Sequence, residues 1–178
     1  AQKANEEKSA NAAKENADRF EESASGEALI TAKVGARNNK IGEVGLSYMG
    51  GVYNKYQDDG LTLDKKRRCD VVAVDFNTTL PKLNTYITGE WAWVKVDVPE
   101  TYSQQFGSKQ HGGFIDIVQP VIKKNIFGWK DAVVNLACRF EYVDWNVGNF
   151  KETGKNIADD VWSVMPAISF RPVSSTVL

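Results

Sequence analysis

Residues 68–80 read Arg68-Cys69-Asp70-Val71-Val72-Ala73-Val74-Asp75-Phe76-Asn77-Thr78-Thr79-Leu80. Val72, Val74, Phe76, Thr78 and Leu80 fall on one side of an extended chain; Ala73, Asp75, Asn77 and Thr79 fall on the other. A period of two means a β-strand with one apolar and one polar face. Its length carries a second message. A tilted strand of about nine to eleven residues crosses a bilayer, whereas the usual soluble strand has about five or six.

The same rhythm recurs along the chain. Ala28, Ile30, Ala32, Val34 and Ala36 oppose Thr31, Lys33 and Arg37; Val44, Leu46, Tyr48 and Val52 oppose Glu43, Ser47 and Met49. Ala132, Val134, Leu136, Cys138, Phe140 and Tyr142 oppose Asn135, Arg139 and Glu141. Val161, Trp162, Val164, Ile168 and Phe170 are read together against Ser163, Ser169 and Arg171. In residues 113–122, Ile115, Ile117 and Val121 oppose Phe114, Asp116 and Val118. Residues 85–98 change sense partway: Ile87, Gly89, Trp91 and Trp93 give way to Val94, Val96 and Val98. A bulge there, or an exit from the membrane, accounts for the switch. The pattern predicts seven strands, with residues 175–178 opening an eighth.

Connectors alternate in length. Residues 37–42, 80–84 and 172–174 are short; residues 57–67, 100–112 and 147–159 are long; residues 123–131 are intermediate. Outer-membrane barrels alternate in this way, with tight periplasmic turns and longer extracellular loops. Seven strands and a stub do not close a barrel, so the expectation is a segment of a larger one.

Composition sets bounds. A chain of 178 residues with net charge −1 gives no basic footprint for nucleic acid. Mean hydropathy is −0.39, a value that alternation can hide behind. No run of eighteen apolar residues offers a transmembrane helix. Residues 1–26 stand apart as a polar N-terminal segment or long loop, rich in Ala, Glu, Lys and Asn and without an apolar leader region. The division is therefore 1–26 and, as an antiparallel β-barrel portion, 27–178.

Several motifs resemble the phosphate-selective porin O and P family of bacterial outer-membrane barrels. They are the run from Gly45 through Tyr56 with Asp59-Gly60, Lys66-Arg67-Arg68 leading into Ala73-Val74-Asp75, and Gly89-Glu90-Trp91-Ala92. Gln105-Phe106-Gly107, Gly112-Gly113-Phe114, Gly128-Trp129, the run from Arg139 through Asn146, and Ile168-Ser169-Phe170-Arg171-Pro172 follow in order. The resemblance spans residues 27–178 and is closest to the later part of such a barrel. It implies an all-β, antiparallel up-and-down transmembrane barrel in the outer membrane of a Gram-negative bacterium. It also implies passive uptake of small solutes, with anions such as phosphate among them, and a homotrimer. The chain departs from the family in lacking the closing strand with its terminal aromatic residue; Leu178 stands at the end.

A pore selects by charge and constriction. The residues expected to line it are Lys33, Arg37, Glu43, Asp75, Glu90, Asp116, Arg139, Glu141 and Arg171. Mixed signs suit a ladder of ion pairs; the sharper reading is a solute-binding wall with Arg forks for phosphate. Lys65, Lys66, Arg67 and Arg68 form a basic run at a strand mouth, read either as a solvated loop base touching anionic lipopolysaccharide or as a funnel for anions. Trp91, Trp93, Trp129, Trp145 and Trp162, with Tyr48, Tyr86 and Tyr142, suit interfacial girdles.

Catalysis finds little support. His111, the one histidine, is expected in a loop, and neither a nucleophile elbow nor a phosphate-binding glycine loop occurs. Asp58-Asp59-Gly60 and Asp159-Asp160 read as turns, and Cys69 and Cys138 as unpaired thiols. No cofactor or metal is expected. Two rivals stay open: a soluble β-sandwich binding carbohydrate through exposed Trp, and a small closed eight-stranded barrel with an enzymatic or lipid-binding role.

Overall fold

A computed structural model describes residues 26–99, 107–150 and 153–173. It is all-β. The strands are β1 (Ile30–Asn38), β2 (Gly42–Val52), β3 (Gln57–Asp58), β4 (Leu61–Thr62), β5 (Arg68–Leu80), β6 (Thr85–Val96), β7 (Lys109–Ile126), β8 (Trp129–Asp144) and β9 (Asp160–Arg171). Seven of them form one antiparallel sheet in the order β1-β2-β5-β6-β7-β8-β9, and β3 and β4 make a small hairpin. Every neighbour in the large sheet is the next long strand in sequence, so the sheet is an up-and-down meander. It is open: β1 and β9 are not paired with each other. The residues read as the start of an eighth strand lie outside the described ones, as does nearly all of the N-terminal segment.

Strand length follows the sequence pattern, from 9 residues in β1 to 18 in β7. The tight ends cluster on one side. Ile41 donates to the Asn38 carbonyl at 3.1 Å and Asn84 to the Leu80 carbonyl at 2.8 Å. The connector read as intermediate at residues 123–131 is instead a two-residue turn. Phe127 and Gly128, with φ of 50° and 84°, supply the two positive angles that a primed hairpin turn needs. Both strands simply continue through the charged residues around it. The long connectors lie at the other end.

The registers sort side chains without ambiguity. One face carries Ala32, Val34, Leu46, Tyr48, Val72, Val74, Trp91, Trp93, Ile115, Ile117, Leu136, Cys138, Phe140, Trp162, Val164 and Ile168. Val161, expected among these, sits opposite Val143 on the other face. The change of sense after Trp93 is not a bulge: β6 runs in unbroken register with β5 and β7 through Lys95. The apolar band simply ends there. Bulges occur in β7, between Pro120 and Ile122 and between Lys124 and Ile126, and the first removes Val121 from simple alternation.

No second layer covers the sheet among the described residues. Ala132, at 0 % exposure, is the one apolar side chain there that is fully buried. The apolar face is the more exposed one: Leu46 is 48 % and Phe140 43 % exposed, while Asn135 on the polar face is 7 % exposed. In water an apolar sheet face must be buried against another element, so this distribution is inside out for an aqueous protein.

Candidate functional site

The polar face gathers the charges. All nine residues expected along a pore wall project from it, because each occupies the alternate set of its strand. They comprise four cations and five carboxylates. Lys33 on β1 reaches Asp75 on β5 at 2.8 Å, across the intervening β2. Gly45 permits this: a Cβ there would lie 2.5 Å from an Asp75 oxygen and 2.8 Å from the Lys33 side chain. Arg139 holds Asp116 with both arms of its fork, Nε and Nη2 each donating at 2.6 Å. Its remaining Nη1 donates to Glu141 at 3.3 Å, and Ser163 donates to the other Glu141 oxygen at 3.3 Å. The guanidinium also lies 4.5 Å over the Phe114 ring.

These contacts bear on chemistry. A fork already filled by a carboxylate is not open to phosphate. Glu90 stands directly opposite Asp75, and Arg37 opposite Glu43. Arg171 is apart from the rest, opposite Val133 toward the short-turn end.

The basic run at the long-connector end is matched by carboxylates. Lys66 meets Glu27 at 2.5 Å, Arg67 meets Asp64 at 2.6 Å, and Arg68 meets Asp70 at 3.0 Å. Lys65 and Arg67 approach Asp97 at 3.8 and 3.7 Å. Arg67 is nearly buried, and its backbone N–H donates to Asn54 Oδ1 at 2.8 Å. The Arg67 hydrogen bond, then the Lys65 backbone N–H, hold the Asp64 carboxyl below the usual range. The Lys66 hydrogen bond, then that of Tyr56, do the same for Glu27, and Glu27 in turn raises Lys66. Burial pushes the Tyr53 phenol up, and its hydroxyl donates to the Asp97 carbonyl at 2.9 Å. The small β3–β4 hairpin, turning at Asp59 and Gly60, rises from this cluster. Two-residue strands leave no periodicity for the sequence to announce.

On the apolar face, rings gather toward the same end. Trp91 and Tyr142 lie in one register row with Leu46, Val74 and Trp162. The two rings stack at 5.9 Å and 9° over the β7 strand between them. Gly113 makes room, since a Cβ there would sit 2.9 Å from Trp91. His111 is not in a loop: it belongs to β7 and stacks on Trp91 at 5.6 Å and on Tyr142 at 5.7 Å. Tyr86, expected in the girdle, is on the polar face opposite Val118. Cys69 and Cys138 are both free thiols. Among the described residues no cluster of three or more His, Cys, Asp or Glu could hold a metal. No family model, no curated protein and no solved structure matches this chain.

Proposed function

We propose that the sheet is part of an outer-membrane β-barrel porin, a passive diffusion channel for small solutes. One observation carries the reading: long strands leave an apolar face exposed and gather their charges on the other. Lipid satisfies such an outer face, and a closed barrel satisfies the open strand edges. The polar face then lines the lumen, with Lys33, Arg37, Glu43, Asp75, Glu90, Asp116, Arg139, Glu141 and Arg171 along the wall. The resemblance to the phosphate-selective porins supports the same class, and with it a homotrimer and contact with membrane lipid and lipopolysaccharide. The filled Arg139 fork weighs against phosphate as the favoured solute and toward general diffusion. A carbohydrate-binding β-sandwich needs a second large sheet against the apolar face, and the described residues contain none.

The test is folding with and without detergent micelles, followed by far-UV circular dichroism and gel mobility before and after boiling. Cooperative β-signal only in detergent, with heat-modifiable mobility and then conductance in a planar bilayer, is the expected result. A monodisperse, cooperatively folded protein in plain buffer refutes the channel.

A further inference from the structure

The apolar face ends, on the long-connector side, in charge. Asp70, Lys95 and Lys109 occupy one register row there, on the same face as the aromatic residues. Arg68 precedes Asp70 by two residues on that face and is paired with it at 3.0 Å. Lys95 and Lys109 are direct cross-strand partners, and both are exposed. Like charges facing one another across a ladder destabilise it. Among the described residues, neither ammonium has a carboxylate within ion-pair distance. The four cations Lys66, Arg68, Lys95 and Lys109 and the two carboxylates Asp70 and Asp97 border a groove of about 490 Å³. Two residues further along the same strands are Trp93, which is 48 % exposed, and His111, which is stacked on Trp91.

We infer that this groove binds the phosphate groups of an anionic outer-leaflet glycolipid, with its acyl chains lying over Trp93 and the apolar band below. The inference rests on the apolar face being in lipid. Charge complementarity decides the occupant. Among the described residues Asp70 stands opposite Lys95 but is paired with Arg68, no carboxylate lies within ion-pair distance of either lysine, and a phosphate bridging both ammoniums removes their repulsion. Position decides the source. The lysines belong to the outward apolar face, not to the polar one, so an anion held there approaches from the lipid side. The row of Tyr48, Trp93 and His111, next to the lysines, lies where an amphipathic ring meets headgroups. The basic character is local: on β8 and β9 the neighbouring row carries Asp144 opposite Asp160, so the headgroup is held over β5–β7 only.

The experiment titrates the full protein in detergent micelles with diphosphoryl lipid A and follows quenching of its tryptophan fluorescence by a brominated acyl chain. Saturable binding by the wild-type protein is expected, weaker for the dephosphorylated lipid. The double variant Lys95→Gln with Lys109→Gln should weaken it about thirtyfold, from the usual contribution of a lysine near an anionic surface. Lys82→Gln, in a short turn at the opposite end, should change nothing. Lysine-to-arginine replacement at both positions should restore binding, and heat-modifiable mobility certifies that each variant is folded. Equal binding by the wild type and the double glutamine variant overturns the site, as does absence of binding to a folded wild type. Displacement of the lipid by millimolar inorganic phosphate overturns the lipid assignment in favour of a free anion. Failure of the membrane reading is seen separately, as cooperative folding without detergent.

Discussion

Replacing Val34 by arginine tests which solvent the apolar face meets. Val34 is 67 % exposed and lies in the row of Leu46, Val74 and Trp91. On β1 the apolar set runs from Ile30 to Ala36, so its centre is near residue 33 and Val34 is about 3 Å from it, one residue's rise along the strand. If that face is in water, the substitution removes only the contacts of the covered third of the side chain. Full burial of a valine stabilises by about 1.5–3 kcal/mol, so the loss is about 0.5–1 kcal/mol. If the face is in hydrocarbon, an arginine near the midplane costs about 2–4 kcal/mol. The two cases differ as about 2- to 5-fold against about 30- to 900-fold in the folding constant. Thr31→Arg is the control: it lies on the same strand but on the polar face, opposite Met49, and should shift stability by no more than about 0.5 kcal/mol. The assay is reversible urea unfolding of vesicle-inserted protein, followed by tryptophan fluorescence. A loss below about 1 kcal/mol for Val34→Arg, close to that of Thr31→Arg, refutes the reasoning.

Three further outcomes are expected. Gly113→Ala places a Cβ 2.0 Å from the Glu90 carbonyl oxygen, a backbone atom that cannot swing aside, so it should destabilise by about 1–3 kcal/mol in the same unfolding assay. Asp116→Asn leaves Arg139 charged without its two-armed carboxylate partner and makes the polar face less negative, so the zero-current potential in a salt gradient should move toward anion preference; an unchanged potential would show that this pair does not face the conducting path. The long connector between β2 and β5 should loosen on acidification. The lowered pKa values of Glu27 and Asp64 mean that their stabilisation is present above the ordinary carboxylate pKa and is lost as pH falls through the depressed folded values. Lys66 has the opposite sign: raised by Glu27, its contribution is full below the ordinary lysine pKa and is lost as pH rises through the raised value. Hydrogen-exchange protection of the Leu63 and Asp64 amides, which donate to the Tyr56 carbonyl at 2.8 and 3.3 Å, should therefore fall at both extremes, after correction for intrinsic exchange.

Alternation makes most of this sheet legible in the sequence. Residues 68–80 announce β5 because Val72, Val74 and Phe76 can share only one face of an extended chain. The same rule sorts Lys33, Asp75, Arg139 and Glu141 onto the other face. What escaped has local physical causes. Lys123, Lys124, Lys130 and Asp131 look like a loop because charge at a strand end and charge in a connector read alike. Phe127, in a positive-φ position that favours Gly, Asn or Asp, gives no turn signal. His111 reads as a loop residue because residues 100–112 are taken as one long connector. β7 instead begins at Lys109, and Gly112 and Gly113 sit in it beside bulky neighbours on adjoining strands. Pairings such as Lys33 with Asp75 and Trp91 with Tyr142 depend on register, which alternation within one strand does not encode.

Gly45 and Gly113 have a mechanical consequence. Each sits on a middle strand and lets its two flanking strands touch over it, so contact skips a neighbour: β1 to β5 by an ion pair, β6 to β8 by stacked rings. In an ordinary meander a terminal strand peels from its neighbour and leaves the next pair intact. Here pulling β1 away also breaks a contact with the strand beyond, and separating β6 from β8 exposes two rings at once. Peeling an edge strand therefore costs one contact beyond its own ladder, which makes the sheet resist unzipping one strand at a time.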